Sequence, residues 1–216
     1  MTATERAPLI FSRLRARYPT TVPALVHRDA WELLVATVLA AQCTDARVNM
    51  VTPNLFGRWP GPAELAQATQ EELEDVVHST GFFRNKAKNL IGAAGRIMEH
   101  FGGRVPDTLE ELTSLPGVAR KTANIVLSNS FGINEGIAVD THVTRLAYRL
   151  GLTDSNDAVR IERDMMPLFP QEQWGEINHL LVNHGRDTCP ARNPRCPECA
   201  LSDICPKRGL EKTGRP

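Results

Sequence analysis

The sequence predicts an all-α protein, and three observations carry that prediction. Apolar residues recur at three-to-four spacing in one segment after another, which is the helical period. Alternating strand patterns are almost absent; only Gly136–Val139 reads as extended, and a sheet needs more than that. Proline and glycine punctuate the turns, with no long linker and no repeat of fixed period. At 216 residues, 42% of them apolar, the chain can bury one good core or two modest cores sharing an interface.

The elements follow in order. Ala30–Gln42 is rich in Leu, Val and Ala around much of its circumference, as a central core helix would be. Thr69 with Glu72 forms a capping box, opening a helix that ends near Ser79–Thr80–Gly81. From Asn85 to Phe101, Leu90, Ile91, Ala94, Ile97, Met98 and Phe101 repeat at helical spacing. Thr108 with Glu111 caps a short helix ending at Leu115–Pro116–Gly117, and another helix runs from about Ala119 to Phe131. Later helices are expected over Thr141–Leu150, Asp157–Phe169 and Gln171–Gly185.

The longest largely apolar run, Leu33–Ala41, is too short to cross a bilayer, and Met1–Arg6 does not lead from a basic patch into an apolar stretch. No membrane segment and no export signal are expected, so the chain is placed in the cytoplasm, nucleoid-associated in a bacterium, where thiols stay reduced. With 25 basic and 25 acidic residues the formal net charge is zero, which by itself argues against a nucleic-acid binder. Charge placement argues the other way. Acids crowd into Glu71–Asp75, Asp107–Glu111 and Glu162–Asp164. Bases gather at Arg84–Lys88, at Arg120–Lys121, and around the cysteines as Arg192, Arg195, Lys207 and Arg208. A neutral total can hide one positive face, and a phosphate backbone feels the face.

Four of the five cysteines, Cys189, Cys196, Cys199 and Cys205, are spaced C-x6-C-x2-C-x5-C. One loop can wrap them around a single centre, provided that a metal centre or two disulfides neutralise the thiolates. In a reducing compartment they read as metal ligands, and sulfur sites of this kind suit both zinc and iron–sulfur centres. Cys43 lies far outside the motif and reads as a small buried residue.

Leu115–Ala123 joins two short helices through a tight turn. Pro116 stops the first, and Gly117 supplies a backbone conformation that other residues resist. The first amides of the next helix, at Gly117, Val118 and Ala119, then form a site for one phosphate oxygen, with the charge of Arg120 beside it. Read alone, the segment is as easily an ordinary helix–turn–helix connection.

Four motifs in order remove that ambiguity. Leu115-Pro116-Gly117-Val118-x-Arg120-Lys121-Thr122-Ala123 resembles the helix–hairpin–helix of the endonuclease III family of DNA glycosylases. Val139-Asp140-Thr141-His142 resembles that family's next signature, and Ala41-Gln42-Cys43-Thr44-Asp45 the segment after its first core helix. The cysteine spacing matches its iron–sulfur loop. Two departures stand out: Ala119 replaces a glycine, and Phe82 stands where the family often has leucine.

The resemblance implies a two-domain architecture, a helical domain over residues 24–133 with the hairpin, and residues 1–23 with 134–216 forming a domain built on a [4Fe–4S] cluster. It implies a monomer acting on double-stranded DNA with a damaged base or an abasic site, the DNA lying across a cleft. Lys121 would be the nucleophile and Asp140, an N-cap in sequence, the essential acid. The amine must be neutral when it attacks, and the positive helix end with Arg120 disfavours a second positive charge there. Gln42 would enter the gap left by a flipped base, and Phe82, in Gly81-Phe82-Phe83-Arg84, would wedge into the stack unless both rings are core. His142, Arg192 and Arg195 would contact phosphate. Lysine at 121 implies combined base excision and strand cleavage, since members that only excise carry other residues there, and adenine-specific members extend further than Cys205–Pro216 allows. The alternative of another class is a non-catalytic DNA-binding or redox-sensing iron–sulfur helical module.

Overall fold

A capping box opens helix α1 (Ala3–Arg17): the Thr2 hydroxyl accepts from the Glu5 amide while the Glu5 carboxylate accepts from the Thr2 amide. The computed structural model describes residues 1–20 and 23–210. Within these the fold is helical throughout, and no strand forms among the described residues. None of the described helices is long and apolar enough to cross a membrane.

The chain divides into two compact units, Met1–Val22 with Gly136–Pro216, and Pro23–Glu135. Each has its own core. In the second unit, helix α2 (Ala30–Leu39) is buried from Trp31 to Leu39, which explains why it reads as apolar on all sides. Around it stand α3 (Asp45–Arg58), the short α4 (Pro62–Leu65), α5 (Gln70–Val77), α6 (Phe83–His100), α7 (Leu109–Ser114) and α8 (Arg120–Val126). The complete capping box of Thr69 and Glu72 starts α5. A 3-10 turn, His78–Thr80, ends it, and a π-helical turn, Leu127–Phe131, continues α8.

Helices α3 and α4 are absent from the expectation drawn from spacing. Val48, Val51, Leu55 and Phe56 are buried at helical intervals, and Thr44 caps the start. Pro53 masks the pattern, because proline inside a helix removes one backbone donor and usually signals an end.

The other unit packs α1 with α9 (Thr141–Arg149), α10 (Ala158–Met165) and α11 (Trp174–Asp187) around Ile10, Leu14, Leu146, Ile161, Ile177 and Leu181. A 3-10 turn, Met166–Leu168, follows α10, and another, Gln171–Gln173, precedes α11. The segment read as extended, Gly136–Val139, pairs with no strand; the buried Asn178 holds it through Nδ2 to the Ala138 carbonyl at 2.6 Å. Buried Arg6 ties α1 to the rest, donating to the carbonyls of Leu150 (3.0 Å), Gly151 (3.2 Å) and Ile204 (2.9 Å). One guanidinium thus satisfies carbonyls from two other segments, which sequence periodicity does not announce.

Candidate functional site

In the unit Pro23–Glu135, buried Leu115 and Val118 anchor the hairpin from α7 to α8 while Gly117 and Ala119 stay exposed. Gly117 has φ +76°, and a Cβ there would lie 2.8 Å from Cβ of Asn89, so both backbone and space demand glycine. Ala119 is different. It is the N-cap of α8 in an extended conformation (φ −84°, ψ 165°), where a methyl group causes no backbone strain. Its substitution for glycine therefore leaves the turn intact. No side chain caps α8, so its N-terminal amides keep their outward direction. Arg120 and Lys121 occupy the first turn, both exposed.

Gln42 and Phe82 are exposed tips of two other loops in this unit. Both have left-handed backbones, φ +53° and +50°. Phe82 is 64% exposed, whereas Phe83 is half-buried against the core, its ring 4.4 Å from that of His78 and covered by the Arg84 guanidinium at 4.9 Å. The two phenylalanines, not separable in sequence, are separated here: one tip, one core. Cys43, expected to be buried, is half-buried at the edge of that core. Lys86, expected within a basic surface stretch, is buried instead.

In the other unit Asp140 caps α9, its Oδ1 accepting from the Val143 amide at 2.8 Å. His142 sits in the same first turn. Its Nδ1 lies 3.2 Å from Arg145 Nη2, which also donates to the carbonyls of Gly185 (3.1 Å) and Cys189 (3.2 Å). Gly185 of α11 makes room for this pair, since a Cβ there would meet His142 Nδ1 at 2.8 Å.

Cys189, Cys196, Cys199 and Cys205 line one pocket with His184 and Arg149, and no disulfide joins them. Among the described residues, no three His, Cys, Asp or Glu side chains are grouped tightly enough to hold a single metal ion. Donors aim at the sulfurs: Arg149 Nη1 to Cys189 (3.3 Å), the Leu201 amide to Cys199 (3.4 Å) and the Lys207 amide to Cys205 (3.3 Å). Burial pushes the Cys199 and Cys205 thiols up, and pushes His184, 3.5 Å from Cys199 Sγ, down to about 4. Buried Arg149 also donates to the carbonyls of Pro190 and Ala191, both at 2.8 Å. On the same loop Arg192 is exposed, while Arg195 is bound to Asp187 through Oδ1 at 2.8 Å.

The sequence matches, over residues 35–171, the model of the HhH-GPD superfamily of base excision DNA repair proteins. The chain belongs to that superfamily. As an HhH-GPD protein it is 53% identical over 202 residues to the endonuclease III of Synechocystis sp., covering 94% of this chain and 92% of the relative. It is 44% identical over 202 residues to that of Bacillus subtilis, covering 90% and 92%. Its fold is similar to a non-covalent endonuclease III–DNA complex and to a trapped endonuclease III–DNA covalent intermediate. For each the TM-score is 0.91 at 39% identity, covering 96% of this chain and 97% of the other. Sequence reasoning missed three buried polar residues, Lys86 in one unit and Arg149 and His184 in the other. Their partners are carbonyls, sulfurs and a hydroxyl from other segments.

Proposed function

We propose that this chain repairs DNA by base excision as a bifunctional glycosylase and abasic-site lyase acting on oxidised pyrimidines. The observation that carries the reading is Lys121, an exposed amine in the first turn of a helix whose N-terminus no side chain caps. The hairpin amides of Gly117, Val118 and Ala119, with Arg120, hold a phosphate of the damaged strand. Gln42 and Phe82 enter the duplex as the damaged nucleotide turns out, Gln42 offering its amide to the unpaired base and Phe82 its ring to the stack.

Lys121 Nζ, neutral at that moment, attacks C1′. The C1′–N bond breaks, and the base leaves with the bonding pair and takes up a proton. The amine loses a proton; the C1′–O4′ bond then breaks as O4′ takes up a proton, and the iminium so formed acidifies a C2′ hydrogen. Its removal expels the 3′ phosphate by β-elimination, and water then frees the lysine. Asp140 contributes negative charge that stabilises the sugar cation and assists deprotonation of Lys121. His142 and Arg192 contact phosphate, and exposed Arg195, paired with Asp187 through Nη2, offers its other N–H donors to phosphate. The protein's proposed location is the cytoplasm, at the nucleoid in a bacterium, where such DNA lies.

The four cysteines fit a [4Fe–4S] cluster. All four line one pocket, as ligands of a shared centre must. Donors directed at the sulfurs suit thiolates that hold a metal centre, and the spacing, similar to the family's iron–sulfur loop, favours the cluster over zinc. When bound, the cluster would pin the loop that carries Arg192 and Arg195. The purified protein is expected to be brown, with visible absorbance and acid-labile sulfide; a colourless protein with one zinc per chain would replace the cluster by zinc.

Borohydride reduction in the presence of duplex DNA bearing an oxidised pyrimidine is expected to leave the protein covalently attached. A 39%-identical structural neighbour is a trapped covalent intermediate with DNA, which supports this expectation. Binding without trapping would favour the non-catalytic module.

A further inference from the structure

Gln42 and Phe82 share a feature beyond exposure: each holds a positive φ that non-glycine residues adopt only where their surroundings fix it. Both loops leave from one buried cation. Lys86, only 5% exposed in the first turn of α6, donates from Nζ to the carbonyls of Leu39 and Thr80, each at 2.8 Å. Leu39 ends α2 just before the Gln42 loop. Thr80 ends the 3-10 turn just before Phe82. The Lys86 amide also donates to the Phe82 carbonyl at 3.1 Å.

Both Nζ partners lie at C-terminal helix ends, where carbonyls lack partners within the helix and the peptide dipoles present negative charge. An ammonium has three donors and no acceptor, which suits two such carbonyls approached from different segments. Burial lowers the pKa of this amine, but its two short hydrogen bonds compensate in part for the lost water.

We propose that Lys86 is a positioning residue for entry into the duplex: its single buried ammonium fixes the spacing and direction of the Gln42 and Phe82 tips. The inference rests on the reading that these tips enter the stack. Because it is buried, Lys86 acts through the two loops. With both loops ordered in the free protein, less freedom is lost when they are inserted.

Lys86→Met keeps the aliphatic stem and removes the donors. Cleavage is measured at the same abasic site in duplex and in single-stranded DNA, which has no stack to enter. Duplex cleavage is expected to fall about a hundredfold, the scale of a small misplacement, with single-strand cleavage unchanged. The fluorescence of 2-aminopurine beside the lesion should no longer rise on binding. Equal losses on both substrates, or no loss on either, would overturn the positioning role. Wild-type trapping on the same duplex is the control, and its failure would instead bring down the functional reading. Should Lys86→Met not fold, Lys86→Arg retains the charge with a different reach. It too is expected to lose duplex cleavage selectively, and an unselective or absent loss overturns the proposal.

Discussion

Changing Lys121 to glutamine is expected to abolish borohydride trapping and to slow cleavage at an abasic site by at least about four orders of magnitude. The reason is chemical rather than structural. Lys121 is exposed in the first turn of α8, and a substitution at such a position changes stability by no more than about 0.5 kcal/mol. Glutamine keeps a helix-compatible side chain but has no nucleophilic amine. A loss of that size corresponds to about 5.5 kcal/mol of transition-state stabilisation, far above what one phosphate contact supplies. Binding to abasic duplex should persist, with the salt dependence reduced by about one phosphate contact. Trapping retained in Lys121→Gln would remove this lysine from the mechanism. Loss of binding in proportion to activity would make it a DNA anchor.

What the sequence makes legible follows the range of the interactions. Helix α2 and the face of α6 are readable because burial of an entire segment writes itself into consecutive residues. The hairpin is readable because Gly117 answers a local backbone demand, a positive φ that its neighbours in sequence already imply. Asp140 as an N-cap is local too, since its partner is the amide three residues on. Helix α3 is hidden by Pro53, a local signal that tertiary packing overrides.

The unreadable part consists of polar side chains whose partners lie elsewhere in the chain. Lys86 sits in a basic run that reads as a solvated face, yet its ammonium meets carbonyls of two other segments. Arg195 reads as a phosphate ligand from its company beside the cysteines, but Asp187 holds it. Arg149 and His184 approach cysteine sulfur from other helices, and nothing in their own neighbourhoods says so. Such partners are chosen by the fold, so residue type and spacing alone cannot name them.

Asp140 carries two duties that a pair of variants separates. As N-cap of α9 it accepts the Val143 amide, and asparagine caps a helix about as well as aspartate. Asp140→Asn should therefore leave the urea midpoint nearly unchanged, whereas Asp140→Ala loses the cap and about 1 kcal/mol of stability. The negative charge disappears from both. If the carboxylate stabilises the sugar cation and assists Lys121, glycosylase activity falls in both variants by about 100- to 1,000-fold, independently of the cap. Equal activity losses with unequal stabilities thus identify electrostatic catalysis. Activity that instead follows stability, with Asp140→Asn close to wild type, would reduce Asp140 to a structural cap. His142 lies in the same first turn, so Asp140→Asn, which keeps the turn intact, is the cleaner of the two readouts.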